Sequence, residues 1–298
     1  MPVITIAICT YKRIEIKKTL ESLSKQILKD NICIKILVAD NDVDPTMRDK
    51  IEGFADNLGL DLTYVHAPFR NISIARNACL SNCKTKWLAF IDDDETVSDT
   101  WISELYKTAI NKKADIVLGP VVSIYADNTP YWIVKNNFHA TKAVFVNGVI
   151  ETGYTCNTLL DLESICIKDM KFDLGLGRSG GEDTDYFSRA FKKGANLQYS
   201  PNAIVYEPVT AARATLSWLI KRKFRMGQTY APTQYSEDSS KIYITKFIIK
   251  ALSKFTFCFI MALLTCLSPV KRYSWILRGC FHFGVLTKLT GMKNIELY

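Results

Sequence analysis

The chain has 298 residues, 48% apolar, 23% charged and 11% aromatic, and this mixture excludes a disordered chain. Its 14 Gly and 9 Pro are too few for a collagen-like or low-complexity protein. The net charge of +8 is uneven: residues 209–298 hold 14 Lys and Arg against 3 Asp and Glu, residues 1–208 hold 24 against 27. A slightly acidic body carries a strongly basic tail, which points to anionic lipid, phosphate or nucleic acid as the tail's partner.

The apolar run 3–9 has no basic segment before it and reads as a first core strand, not a secretory signal. Further β-rich runs follow at 34–40, 62–65, 87–91 and 116–122. Between them lie helical spacings: Ile16/Leu20/Leu23/Ile27, Met47/Ile51/Phe54, Ile74/Ala78 and Trp101/Leu105/Ile110. This alternation predicts βαβ units and an α/β fold, with a mostly parallel sheet covered by helices on both faces. From 131 to 208 the pattern is irregular, with one clear helix around 184–193. Residues 216–230 read as a basic helix, and 231–241 as a polar linker. The domains expected are therefore 1–230, the linker 231–241 and a tail 242–298. The nine cysteines include no C-x-x-C and no zinc spacing, and so read as reduced, mostly buried thiols.

In parallel sheets the chemistry sits beyond the carboxyl ends of the strands. Those ends carry Thr10-Tyr11-Lys12-Arg13, Asp40-Asn41-Asp42, Arg70-Asn71 with Ala75-Arg76-Asn77, and Asp92-Asp93-Asp94-Glu95. Four consecutive acids after a buried strand repel one another. A hard cation, Mg²⁺ or Mn²⁺, shared with substrate phosphates would compensate them, and Asp92 and Asp94 share a side of an extended chain. An acidic surface turn capping the next helix is the plain alternative. Gly180-Gly181-Glu182-Asp183 opens the later helix; its acids are either N-terminal caps or a general base on a fixed helix start. His66, His139 and His282 show no partner spacing and are assigned no role.

The opening Val3-Ile4-Thr5-Ile6-Ala7-Ile8-Cys9-Thr10-Tyr11-Lys12-Arg13 resembles that of family 2 glycosyltransferases, which carry the GT-A nucleotide-sugar fold. Ala39-Asp40-Asn41, Ala75-Arg76-Asn77, Phe90-Ile91-Asp92-Asp93-Asp94 and Gly181-Glu182-Asp183 agree in order, so the resemblance covers about residues 3–208. A weaker similarity to bacterial succinoglycan-type sugar transferases runs through Arg213, Trp218, Lys221-Arg222 and Arg225-Met226-Gly227. The resemblance implies an inverting transfer from a UDP-sugar, glucose-like, to a glycan or lipid-linked oligosaccharide in surface-polysaccharide synthesis. It assigns Asp92 and Asp94 to the metal, Asp40 to the uracil, and Thr10, Tyr11 and Arg13 to the wall around base and ribose. Arg76 falls to the diphosphate, Asp93 to the ribose or donor sugar, Asp183 to the general base and Glu182 to orienting the acceptor or Asp183. Many relatives complete the metal shell with a His where this chain reads Val205-Tyr206-Glu207-Pro208. Glu207 is one substitute; direct binding of the diphosphate by Arg213, Arg222 and Arg225 is another.

Residues 255–270 are uncharged and bracketed by Lys254 and Lys271-Arg272. As a helix they would be roughly 24 Å long, short of a hydrocarbon core of about 30 Å. A second apolar stretch, 275–286, is broken by Arg278, His282 and two glycines. The tail 242–298 is therefore expected to lie in or dip into the cytoplasmic leaflet of the inner membrane, peripheral or monotopic, with its cations on anionic headgroups; a marginal transmembrane span and a helical subdomain folded back on the body are the alternatives. Nucleic acid is not expected as a partner, because the basic residues alternate with long apolar runs. A nucleotidyltransferase would show a Gly-rich loop after the first strand, which Thr10-Tyr11-Lys12-Arg13 lacks. A non-catalytic nucleotide-sugar binding module at the membrane would need neither Asp94 nor Asp183.

Overall fold

The computed structural model describes residues 1–29, 31–234, 240–290 and 292. In chain order these form β1 (Val3–Thr10), α1 (Ile16–Ser24), β2 (Cys33–Asp40), α2 (Arg48–Leu58), β3 (Leu62–His66), α3 (Ile72–Asn82), β4 (Trp87–Asp92), β5 (Thr96–Val97) and α4 (Trp101–Lys112). Then come β6 (Ile116–Leu118), β7 (Val121–Ile124), α5 (Tyr131–Asn136), β8 (Phe145–Val146), β9 (Val149–Ile150), β10 (Asn157–Asp161) and α6 (Glu182–Lys192). β11 (Leu197–Tyr199), β12 (Val205–Pro208), α7 (Leu216–Tyr230), α8 (Lys241–Leu264) and α9 (Pro269–Leu289) complete the chain. Two compact units result. The first comprises 1–123, 140–178 and 182–208; the second comprises 124–139, 179–181 and 209–298.

The first unit is built on a seven-stranded sheet of order β11-β6-β10-β4-β1-β2-β3. β4, β1, β2 and β3 run parallel, β11 is parallel to β6, and β10 enters antiparallel between β4 and β6. Side chains alternate across the pleat. Ile4, Ile6 and Ile8 therefore pack with Leu20, Ile51 and Leu105 on one face, and Ala7 and Leu37 with Ala75, Cys79 and Phe187 on the other. The α/β sheet with helices on both faces is thus present.

Local readings shift in three places. Ile27 and Ile110 are exposed: α1 stops at Ser24, and Ala109 is buried in α4 instead of Ile110. The single strand expected over 116–122 is two, β6 in the large sheet and β7 in a second sheet of order β5-β12-β7. Pro120 has no amide hydrogen to continue a ladder. Asn157 Nδ2 donates to Pro120 O at 2.9 Å and to Ala203 O at 2.8 Å, and a Cβ on Gly119 would stand 2.4 Å from Ala203 O.

The second unit is helical. The expected helix over 255–270 is instead α8, 24 residues from Lys241 to Leu264, followed by a turn and by Pro269 at the start of α9. At 1.5 Å per residue α8 is about 36 Å long. Among the described residues it is the one helix long and apolar enough to cross a membrane, with a mean hydropathy of 1.9 over its best window. α9 runs unbroken through Gly279 and Gly284, because α7 lies so close: a Cβ on Gly284 would stand 2.0 Å from Phe224 O. Within the expected linker, residues 231–234 form a 3₁₀ turn, and 235–239 lie outside the described residues.

Candidate active site

Parallel register brings three strand ends to one edge of the first unit. Thr10 lies opposite Asp40, and Cys9 lies opposite Asp92. Asp92 is the last residue of β4, and Asp93 and Asp94 are already in a turn, so the extended-chain alternation stops at Asp92. Asp93 is buried. Thr10 Oγ1 donates to its Oδ2 at 2.7 Å and Arg13 Nη1 to its Oδ1 at 2.9 Å, while the same Arg13 nitrogen reaches Asp94 Oδ2 at 2.6 Å. Thr19 Oγ1 pins the turn by donating to Glu95 O at 2.7 Å.

The charge balance of this turn is negative. Burial pushes the Asp92 carboxyl up to about 7; Asp94, Asp93 and Glu207 add to the rise and Arg76 opposes it. Burial also lifts Asp93 to about 6, against the pull of Arg13 and Thr10. Glu95, whose Oε2 accepts from the Asp92 amide at 3.0 Å, is driven well above the usual carboxylate range by burial and by Asp92. For Arg13, burial works against the charge, but Asp93, Asp94 and Asp92 outweigh it and raise its pKa.

Arg76 is the common neighbour of the two acidic segments. It is buried on α3, pairs with Glu182 Oε1 and lies 5.6 Å over the Phe172 ring. Its own burial is outweighed by Glu182, Asp183 and Asp92, which raise its pKa. Glu182 is 6% exposed, and its Oε2 is buried with no hydrogen-bond partner among the described residues. Asp183 stands in the first turn of α6, its Oδ1 accepting from the Thr184 amide at 2.7 Å, so it serves the helix start whatever else it does. α3 holds the preceding segment in place. Asn77 Nδ2 donates to Phe172 O at 2.9 Å and its Oδ1 accepts from the Phe172 amide at 2.8 Å. Asn71 caps α3 and donates to Leu174 O, and Ser73 donates to Asp173 O. The Arg76-Asn77 motif thus divides into a charge-bearing residue and a backbone clamp.

Asp40 is fully buried: the Tyr64 hydroxyl donates to one carboxylate oxygen and the Asp42 amide to the other at 2.9 Å. Tyr11 is half-buried, with the Arg70 guanidinium 5.3 Å and Lys12 Nζ 5.7 Å from its ring centroid. Arg70 is the residue that the sequence places at a strand end without a role. It and Phe69 have positive φ, 44° and 111°, a conformation that non-glycine residues adopt at a cost of order 1–3 kcal/mol. Arg222 and Arg225 lie on α7 in the second unit. Arg222 is 5.2 Å over the Trp218 ring, and Arg225 Nη1 donates to Ser179 O at 3.4 Å. His66 Nε2 meets Asp42 O at 2.9 Å; His139 is buried against Trp218, ring centroids 5.2 Å apart.

Among the described residues no three His, Cys, Asp or Glu side chains converge as a metal-binding group. Asp92 and Asp94 offer hard oxygen donors in an under-neutralised cluster. This donor set suits Mg²⁺ or Mn²⁺, of which Mg²⁺ usually takes one or two carboxylates with substrate phosphates completing the shell.

The chain is 42% identical over 295 residues to the succinoglycan biosynthesis protein ExoM of Rhizobium meliloti (strain 1021), covering 99% of this chain and 95% of that protein. The crystal structure of S. aureus TarS 1-349 in complex with UDP-GlcNAc superposes with a TM-score of 0.55 at 14% identity, over 98% of this chain and 92% of that one. A longer TarS crystal structure gives 0.53 at 14% identity, with 95% of this chain covering 52% of TarS. These two structural likenesses bear on the fold alone. The description "Glycosyl transferase family 2" matches residues 5–166, more than half of the sequence. With that match and the near full-length likeness to ExoM, the chain belongs to glycosyl transferase family 2 and is a glycosyltransferase of the GT-A fold.

Proposed function

We propose that this glycosyltransferase moves a glucose-like sugar from a UDP-sugar to a lipid-linked glycan, with inversion at the anomeric carbon, at the cytoplasmic face of a bacterial membrane. The observation that carries the reading is the convergence of the β4 acids with the acids at the start of α6 on one buried arginine, Arg76. A donor diphosphate and an acceptor hydroxyl need those two acidic groups at one centre. The ExoM likeness supports polysaccharide assembly, and the UDP-GlcNAc bound by TarS supports a nucleotide-sugar donor.

Thr10, Tyr11, Arg13 and Asp40 wall the nucleotide, with Arg70 on Tyr11 stiffening that wall. Asp40 accepts the uracil imide N–H on a remaining lone pair. Asp93, fixed by Thr10 and Arg13, faces the ribose or donor sugar. Asp92 and Asp94 would hold Mg²⁺ or Mn²⁺, which would supply neutralising charge to the leaving diphosphate. Arg222 and Arg225 add positive charge for that diphosphate. Asp183 removes the proton of the acceptor hydroxyl as it attacks, and Glu182 orients the acceptor through Oε2. The basic, apolar tail attaches the enzyme where a lipid-linked acceptor resides.

Donor affinity and turnover, measured separately, test these roles. Asp92→Ala and Asp94→Ala are expected to abolish transfer and to weaken UDP-sugar binding in Mn²⁺ but not in EDTA. Asp183→Asn should keep donor affinity while turnover falls roughly 10²-fold or more. Unchanged metal-dependent affinity in both alanine variants would remove the metal assignment. Lost folding in Asp183→Asn would reduce Asp183 to a helix cap.

A further inference from the structure

In the second unit α8 has three distinct flanks. Ala251 and Cys258 are buried towards α9: Cys258 Cβ is 3.5 Å from where a Gly279 Cβ would stand, and the Phe255 and Phe283 rings are 5.6 Å apart. Away from α9, Ile249, Leu252, Phe259, Ile260, Leu263 and Leu264 are 48–73% exposed. At about 100° per residue these six fall within an arc of about 140°, and Lys246, Lys250 and Lys254 occupy the next 80° or so. Leu267, in the turn to α9, is 97% exposed. From Val209 onward the sequence holds 14 Lys and Arg against three acids, Glu237, Asp238 and Glu296.

α8 is long and apolar enough to cross a bilayer, but the cations on it and beside it favour the interface. The charge-free part of the helix, residues 255–264, is about 15 Å long, half of a hydrocarbon core of about 30 Å. α9 returns beside α8 carrying Lys271, Arg272 and Arg278. α7, with Lys221, Arg222, Lys223 and Arg225, is locked onto α9, since a Cβ on Gly227 would stand 2.0 Å from Phe281 O. A spanning α8 would draw Arg278 and the cations of α7 into hydrocarbon, which is costly for each.

We infer that α8 lies in the plane of one leaflet of an anionic bilayer without crossing it. Its six-residue apolar arc and Leu267 enter the acyl region, and Lys246, Lys250 and Lys254 meet headgroup phosphates. The inference rests on the membrane attachment proposed above and narrows its mode.

Two measurements on the full-length enzyme test it. In flotation with sealed phosphatidylcholine vesicles, with and without phosphatidylglycerol, binding is expected on the anionic vesicles and should weaken with salt, leaving a salt-resistant part. The Leu263→Glu/Leu264→Glu variant, with its far-UV circular dichroism unchanged, should bind about tenfold more weakly or less. In spheroplasts of the expression host, a membrane-impermeant maleimide added outside should leave the exposed tip thiol of Cys266 unmodified, read by mass spectrometry of its peptide. Labelling of Cys266 from outside would overturn the in-plane placement and leave membrane attachment standing. Equal binding to neutral vesicles would overturn the anionic partner. No binding to either vesicle would overturn the inference and the attachment together.

Discussion

Glu182 and His139 show how much a single buried side chain can depend on its neighbours. Glu182 neutralises Arg76 in a site where both are more than nine-tenths buried. Glu182→Ala takes from the buried guanidinium its ion-pair partner and leaves only Asp183 and Asp92 nearby, so a loss of up to about 3–5 kcal/mol is expected in denaturant unfolding. The double variant Arg76→Met/Glu182→Leu should recover much of that stability and none of the activity; a single variant as stable as the parent would mean that the pair is not buried in solution. His139 is 1% exposed, its Nδ1 3.1 Å from the Tyr125 hydroxyl and its Nε2 3.0 Å from Arg213 O. Burial, with Arg222, Arg213 and Lys223 as cationic neighbours, lowers its pKa to about 4, although the Arg213 carbonyl opposes the fall. The unfolded chain, with a pKa near 6.5, then binds the proton more readily than the folded one. Stability should therefore be complete above about pH 6.5 and decline towards pH 4, by about 2 kcal/mol between pH 7 and pH 5. Thermal unfolding of parent and His139→Gln across that range checks this, and an equal acid loss in both would place the titration elsewhere. His139 carried no legible signal, because its partners lie 14 and 74 residues away in sequence, at no recognisable spacing. Arg70 was visible at a strand end but without a role, because its place over Tyr11 depends on a positive-φ turn and not on spacing.

At the scale of elements, the inner parallel strands β1, β2 and β4 were legible because each is a short, largely buried apolar run followed by polar residues, and the motifs sit where those runs end. The helices α1 to α4 were legible in their stripes but not at their ends, where Ile27 and Ile110 continue the apolar period into solvent. The tail misled in a different way. Absence of charge marked 255–270 as one helix, whereas the backbone reverses before Pro269 and Lys-bearing residues from 241 onward extend α8 backward. Lys tolerates helix well and places its charge in water or headgroups, so charge was a poor boundary signal. Glycine shows the same dependence on context. Gly227 and Gly284 are points where two backbones meet, each with a Cβ position 2.0 Å from a carbonyl oxygen of the facing helix, whereas Gly53 in α2 has nothing within 4 Å. Gly227→Ala and Gly284→Ala are expected to lower the thermal midpoint sharply, by the overpacking cost of about 1–3 kcal/mol or more. Gly53→Ala should raise stability by about 0.5–1 kcal/mol, because it removes helix-interior glycine without a clash. Unchanged midpoints in the first two would show that α7 and α9 are not held so close.

For the whole molecule, the basic tail is not an appendage that can be cut away. Its membrane-facing residues and its folding residues lie on the same two helices. Leu277 of α9 shares a buried cluster with Leu219 of α7 and Ile133 of α5, and Val285 of α9 packs with Ala231 and Ala251. Deleting residues 242–298 therefore removes α9 from beneath α7 and uncovers Leu219, a side chain of 0% exposure. Fully burying a leucine is worth about 1.5–3 kcal/mol, and the newly exposed apolar surface of α7 is a ready site for association. The shortened chain is expected to aggregate or to lose its cooperative unfolding transition, even though every residue proposed for the donor lies before residue 242. The Leu263→Glu/Leu264→Glu variant makes the contrast, since both residues are 60% exposed or more and lie away from α9. It should stay monodisperse without detergent, keep the parent's thermal midpoint and bind UDP-sugar in solution, while failing to act on a membrane-embedded acceptor. Size-exclusion chromatography and thermal unfolding of the two proteins decide the matter. A monodisperse, cooperatively folding 1–241 chain would show that α7 is stable without α9, and that the tail serves attachment only.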